Sequence, residues 1–186
     1  MVYVILATGF EEIEALCAVD VLRRAGAEVA TVGLSDADVR GAHGITVVCD
    51  TVLDEVADNV PDMLVLPGGM PGVTNLDACP AIGDLTEATL VGGGYVGAIC
   101  AAPMVLGRRG YLRGRRAMCF PGFEKYLDGA KIVHGDVVRD GQIVTSRSMG
   151  TALPFALELV ACLFGRERSI EVGAAIAADA SPDPTE

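Results

Sequence analysis

Two runs with no polar interruption, Val2–Ala7 and Met63–Leu66, constrain the fold of this chain most strongly. A strand that is apolar at every position must be buried on both faces, which occurs in a parallel sheet covered by helices on each side. Helical patterns fall between such runs. The first extends from about Glu11 to Gly26, a glycine of the right type and place for a C-cap. Others cover Ala78–Val91, a segment opening near Ala102, Thr151–Phe164 up to Gly165, and Ser169–Ala178. Further extended segments are predicted at Glu28–Leu34, Ala42–Val52, Tyr95–Ile99 and Ala117–Phe120, with a helical turn at Phe123–Leu127. Ile132–Arg139 and Gln142–Ser146 suit a hairpin turning at Asp140-Gly141. This alternation predicts an α/β fold with a mostly parallel sheet and helices on both faces. Ligand sites in such sheets lie at the carboxyl ends of the strands. The loops Thr8–Glu12, Pro67–Gly72 and Cys100–Pro103 are therefore predicted to meet there.

The totals narrow the function. The 186 residues, 51% hydrophobic, suffice for one sizeable core, so 1–178 reads as a single domain and 179–186 as a disordered, low-complexity tail. A net charge of −11 argues against nucleic acid or an anionic membrane as partner. No apolar run reaches transmembrane length, and the chain begins on a strand with no signal peptide, which predicts a cytoplasmic protein. Its six scattered cysteines read as reduced thiols. The two histidines, His43 and His134, show no metal-ligand spacing, so no metal is expected. The glycine-rich Pro67–Gly72 and Gly92–Gly94 match neither a dinucleotide turn nor a P-loop, and no cofactor is expected.

Chemistry concentrates on Gly94-Tyr-Val-Gly-Ala-Ile-Cys100-Ala-Ala-Pro103. A strand runs into a sharp turn at Cys100, and Pro103 suits the first turn of the next helix. This is the layout of a nucleophile elbow, where exposure and a helix dipole favour thiolate. The alternative is a small buried cysteine acting as a hydrophobe. On a helical wheel Ala15, Ala18, Val21 and Leu22 form one face of the first helix, and Glu12, Asp20, Arg23 and Arg24 lie opposite. Glu14 falls on the apolar side. Burial there would raise its pKa and keep it protonated, able to hydrogen-bond a thiolate; a carboxylate simply welcomed by the helix start is the alternative. Ile13 and Leu16 sit among the charges of the polar face, which suggests a two-fold dimer contact, although scattered exposed hydrophobes are ordinary. Gly68 and Gly69 could bring backbone N–H groups close to Cys100 and, with the Ala101 N–H, form an oxyanion hole; ordinary turn chemistry is the alternative.

Gly9-Phe-Glu-Glu-Ile-Glu14, Asp20-Val-Leu-Arg-Arg-Ala-Gly26, Leu66-Pro-Gly-Gly69, Ala98-Ile-Cys-Ala-Ala-Pro103 and Thr145-Ser-Arg147 stand in the order and spacing of the ThiJ/PfpI superfamily. The chain resembles in particular its branch of the parkinsonism-associated deglycase and bacterial ThiJ-type relatives, to about Gly165. The resemblance implies a flavodoxin-like three-layer sandwich and a homodimer. It matches Cys100 to an oxidisable nucleophile, Glu14 to its protonated partner, and Gly69 and Ala101 to anion-binding N–H groups. Asp20 and Arg24 match the dimer contact. Three departures stand out. Phe120 precedes Pro121 where the family often has histidine, so a Cys-His-Glu triad is absent. Ala101 follows Cys100 where the protease-like branch has histidine, which argues against proteolysis. Ser148-Met149 replaces the usual Gly-Pro and alters the pocket wall, which His43 could reach from its loop or from a partner subunit.

Three functions follow. One is an enzyme on small reactive carbonyls, glyoxalase- or deglycase-like, using Cys100 and Glu14. Another is a redox sensor or protective protein whose thiol meets peroxide and is oxidised to sulfinate. The third is a flavodoxin-fold binding protein, for which a flavin phosphate loop is missing.

Overall fold

In a computed structural model, residues 1–178 are described; the expected tail at 179–186 lies outside them. The elements are β1 Val2–Leu6, α1 Glu12–Ala25, β2 Val29–Gly33, β3 Asp38–Arg40, β4 Thr46–Val48, β5 Thr51–Val52, α2 Leu53–Val56 and β6 Met63–Leu66. They continue with α3 Gly72–Ala78, α4 Pro80–Val91, β7 Tyr95–Ile99, α5 Pro103–Arg108, β8 Arg116–Ala117 and β9 Lys131–Ile132. The last are β10 Val137–Asp140, β11 Ile143–Ser146, α6 Ala152–Phe164 and α7 Arg166–Ala175. Seven strands form one sheet in the order β10-β11-β7-β6-β1-β2-β5. All its pairs are parallel except the β10–β11 hairpin.

The period-2 geometry of β1 explains why its run is wholly apolar. Val2, Val4 and Leu6 enter a core closed by α1, α6 and α7. Tyr3, Ile5 and Ala7 enter a second core, on the opposite face, closed by α2 to α5. Ile5 and Leu6 have no exposed surface, and burying such side chains stabilises the fold by about 1.5–3 kcal/mol each. The α/β sandwich expected from the alternation is therefore present. No helix of the described residues is long and apolar enough to cross a membrane.

Several boundaries differ from expectation, each for a local reason. Ala42–Val52 is not one strand. The chain at Gly41–Ile45 folds into a tight turn, with Gly41 N–H donating to Ile45 O at 2.9 Å, so β4 pairs with β3 and only β5 joins the sheet. Regular pairing of Ala117–Phe120 stops at Ala117 because the next N–H groups have other acceptors. Met118 N–H donates to Thr145 Oγ1 at 3.0 Å and Phe120 N–H to Cys100 O at 2.7 Å. Ile132–Arg139 divides into β9 and β10, which lie in different sheets. The hairpin turns at Gly141-Gln142, one residue later than predicted, because Asp140 and Ile143 are register partners. Ala78–Val91 divides at Cys79, where Pro80 starts α4 and ends α3. The last helix starts three residues early, at Arg166. Gly26 caps α1 as expected, with a left-handed φ of 93° that favours glycine.

Candidate active site

The site is assembled where β1, β6 and β7 end. Loop 8–12 and loop 67–72 interlock, with Gly9 O accepting Gly72 N–H at 3.3 Å and Gly68 O accepting Glu11 N–H at 2.9 Å. β7 brings Cys100 to the same edge. Gly97 in its middle permits close packing of α6, since a methyl there would lie 2.8 Å from Leu159 Cδ2. The three loops predicted to converge do so.

Cys100 has φ of 64°, a left-handed conformation that costs a non-glycine residue roughly 1–2 kcal/mol. Two backbone bonds hold it there: its N–H donates to Ser146 O at 3.0 Å, and its carbonyl accepts Phe120 N–H. The elbow therefore aims the sulfur out of the sheet edge, half-buried. The following helix, α5, has only six residues, so its dipole contributes less than the sequence suggested.

Glu14 lies 1% exposed on the apolar face of α1, as its wheel position predicted. Its Oε2 accepts Gly68 N–H at 2.8 Å. Its Oε1 is buried with no hydrogen-bond partner among the described residues, and the carboxyl as a whole lies within reach of the Cys100 thiol. Burial is the main cause that lifts the Glu14 pKa from 4.5 to about 7; the Glu11 charge adds to it, and Gly68 N–H opposes it. Burial likewise pushes the Cys100 thiol up, to about 12, followed by the charge of an ionised Glu14; the Ala101 and Gly69 N–H groups pull it down. The thiolate that the sequence suggested is thus opposed, by burial first and by the charge of an ionised Glu14 second. Thiolate and carboxylate compete for one negative charge. When Glu14 holds the proton its charge no longer opposes the thiolate, and its O–H can donate to the sulfur.

The glycines decide this geometry. A methyl at Gly68 would fall 2.6 Å from Glu14 Oε2 and 2.6 Å from Cys100 Cβ, so only glycine lets acid and thiol meet. Gly69 has φ of 90°, and a methyl on it would lie 2.4 Å from Glu11 N. Its N–H and that of Ala101 face the sulfur.

Glu12, placed on the solvent side by the wheel, is instead 3% exposed. The 41–45 turn wraps it: His43 N–H donates to Oε1 at 2.8 Å, Ile45 N–H at 3.3 Å, and His43 Nδ1 lies 3.0 Å from Oε2. Burial raises its pKa, but these hydrogen bonds outweigh it and hold the carboxyl below its usual value; reciprocally, Glu12 and Glu11 raise that of His43. His43 therefore braces Glu12 within one chain. Glu11, Glu12 and His43 also offer ligand atoms within 4.8 Å of one another, a grouping that spacing along the chain concealed. Ser148 holds the 3-10 turn Met149–Thr151 through its backbone: its N–H donates to Thr151 Oγ1 at 3.1 Å and its carbonyl accepts Thr151 N–H at 2.8 Å. Phe120 is 43% exposed beside the Cys100 carbonyl. On α1, Ile13 and Leu16 are exposed, and Asp20 Oδ2 accepts from Arg24 Nε at 2.7 Å. A cavity of about 660 Å³ lies at the opposite edge of the sheet, lined by Val2, Glu28, Asp62, Gly93 and Phe164, away from this chemistry.

Comparison with known proteins agrees with this fold. Residues 1–162 match the model of the DJ-1/PfpI family. Protein dj-1beta of Drosophila melanogaster is 40% identical over 172 residues, covering 91% of this chain and 92% of the relative. Its crystal structure superposes with a TM-score of 0.92 at 38% identity, covering 96% of this chain and 97% of that one. The glutathione-independent glyoxalase DJR-1.2 of Caenorhabditis elegans is 38% identical over 160 residues, 86% of each chain. Protein DJ-1 homolog B of Arabidopsis thaliana is 40% identical over 170 residues, 90% of this chain, but the chain spans only 39% of that relative's length.

Proposed function

The chain belongs to the DJ-1/PfpI family, and from that premise we propose that it is a cysteine-dependent enzyme acting on small 2-oxoaldehydes, glyoxalase- or deglycase-like. One observation carries the reading: the buried Glu14 carboxyl, with Oε1 lacking a hydrogen-bond partner among the described residues, lies within reach of the Cys100 thiol. A carboxylate oxygen so placed costs about 1–3 kcal/mol unless it carries a proton to donate. In the reactive form Glu14 holds the proton and Cys100 the charge. The sulfur attacks the aldehyde carbon of methylglyoxal, Glu14 protonates the developing alkoxide, and a hemithioacetal forms. Gly69 and Ala101 N–H groups receive the negative charge as it develops. The ionised Glu14 then takes the C1 proton and returns it to C2, while the C1 hydroxyl proton passes to the C2 oxygen, giving a thioester that water hydrolyses to lactate. The atoms balance as methylglyoxal plus water to lactate, with no external oxidant. The relative named as a glutathione-independent glyoxalase supports this class of reaction.

Purified protein given methylglyoxal should form lactate, and Cys100→Ser should abolish that. Lactate formation unchanged in Cys100→Ser would overturn the reading. A second reading draws on the N–H groups facing the sulfur, which suit sulfinate oxygens: the thiol reacts with peroxide and the product is held. Intact mass after mild peroxide should then show two oxygens on Cys100; oxidation spread evenly over the six cysteines counts against it. We further propose that the exposed Ile13 and Leu16 face of α1, flanked by Asp20 and Arg24, forms a homodimer contact.

A further inference from the structure

Three large apolar side chains are exposed on the segments that hold the Cys100 backbone or face its sulfur with an N–H group. Phe120, whose N–H holds the Cys100 carbonyl at 2.7 Å, is 43% exposed. Met70 follows Gly69, whose N–H faces the sulfur, and is 49% exposed. Met149 lies three residues beyond Ser146, which anchors the Cys100 N–H, and is 47% exposed. The Phe120 ring is braced edge-on by Phe123, with centroids 6.3 Å apart and planes at 81°. A fixed aromatic ring and two adaptable thioethers offer apolar contact to a ligand rather than hydrogen bonds.

The charges at the site are acidic. Glu14 exerts the strongest charge effect on Cys100, and the outside charge acting on Glu14 is Glu11. The next carboxylate is Glu12, already bonded to His43. Arg147, the cation that follows Ser146 in the chain, is committed to Asp136 Oδ1 at 2.9 Å. A second anion brought in by a substrate would meet these carboxylates and compete with the oxyanion for the same N–H groups.

We infer that the site selects neutral 2-oxoaldehydes with an apolar or aromatic substituent and disfavours those carrying a carboxylate, an inference that rests on the enzyme reading above. Phenylglyoxal is the model substrate. Water adds, the aldehyde carbon is oxidised to carboxylate, the ketone carbon is reduced to the carbinol, and mandelate results. Removing on the order of 50 Å² of the substrate's ring from water against Phe120 gives about a tenfold preference over methylglyoxal.

The test has two arms. In the first, kcat/KM is compared for phenylglyoxal, methylglyoxal and 4-carboxyphenylglyoxal in wild type, Phe120→Ala and Met149→Ser. The phenylglyoxal to methylglyoxal ratio should be about tenfold and fall severalfold in each variant, with the carboxylated analogue slowest of the aromatic pair. In the second, Cys100 alkylation by N-benzyliodoacetamide, iodoacetamide and iodoacetate is timed against glutathione as reference. The same order, benzyl first and iodoacetate last, is expected without any turnover. If no oxoaldehyde is consumed, the enzyme reading fails while the alkylation order still judges the apolar mouth. Equal rates for the three reagents, or a benzyl preference untouched in Phe120→Ala and Met149→Ser, overturn the inference.

Discussion

Replacing Glu14 by glutamine isolates the cost of the proton that the proposed mechanism needs. Glutamine keeps the carbonyl that accepts Gly68 N–H at 2.8 Å but cannot ionise. In the folded chain burial lifts the Glu14 pKa to about 7, against 4.5 in the unfolded chain. Below 4.5 both states hold the proton and the shift has no effect. Between 4.5 and 7 the unfolded chain has released it and the folded chain has not, so stability falls with rising pH. At about 1.4 kcal/mol per pH unit, the loss reaches roughly 3 kcal/mol and levels off above 7. Urea unfolding of wild type and Glu14→Gln at intervals from pH 5 to pH 8.5 measures it, because titrating groups that do not interact with Glu14 cancel in the difference. The wild type should lose about 2–3 kcal/mol relative to the variant across that range. A difference that stays flat with pH, or that grows in favour of wild type, would refute a buried neutral Glu14.

Other consequences are separately measurable. Gly68→Ala forces a methyl between the acid and the sulfur, so it should remove oxoaldehyde turnover and lower stability by about 1–3 kcal/mol in a thermal or urea assay. Removing the Glu14 charge should move the pH profile of Cys100 alkylation to lower pH in Glu14→Gln than in wild type; coincident profiles would mean that Glu14 does not act on the sulfur. Glu12→Ala leaves the His43 and Ile45 N–H groups without their acceptor and should cost about 1–3 kcal/mol in urea unfolding, with a wild-type advantage that disappears on acidification. That sign follows from its depressed folded pKa: its stabilisation is present above the unfolded value of 4.5 and is lost as pH falls through the folded one. Ile13→Glu combined with Leu16→Glu should convert a dimer to a monomer in sedimentation velocity, and an unaltered sedimentation coefficient would remove that face from the contact.

Residue order alone was enough for the sheet and its chemistry-bearing edge. A strand apolar at each position has one environment open to it, and a cysteine between such a strand and a proline-started helix has one edge to occupy. Glu14 was found because a carboxylate out of phase with its helix is visible at a period of 3.6 residues. The same wheel misplaced Glu12, because what buries it is the 41–45 turn, some thirty residues distant along the chain. The bounds of β8 and β9 were also beyond reach: they have two residues each, and their extent depends on which distant acceptor claims each N–H. Tertiary structure alone decided that Gly68 must lack a side chain, that Cys100 is held left-handed, and that burial raises the pKa of acid and thiol together. Periodicity is a local property of the chain, whereas desolvation and close approach depend on what the rest of the molecule brings alongside.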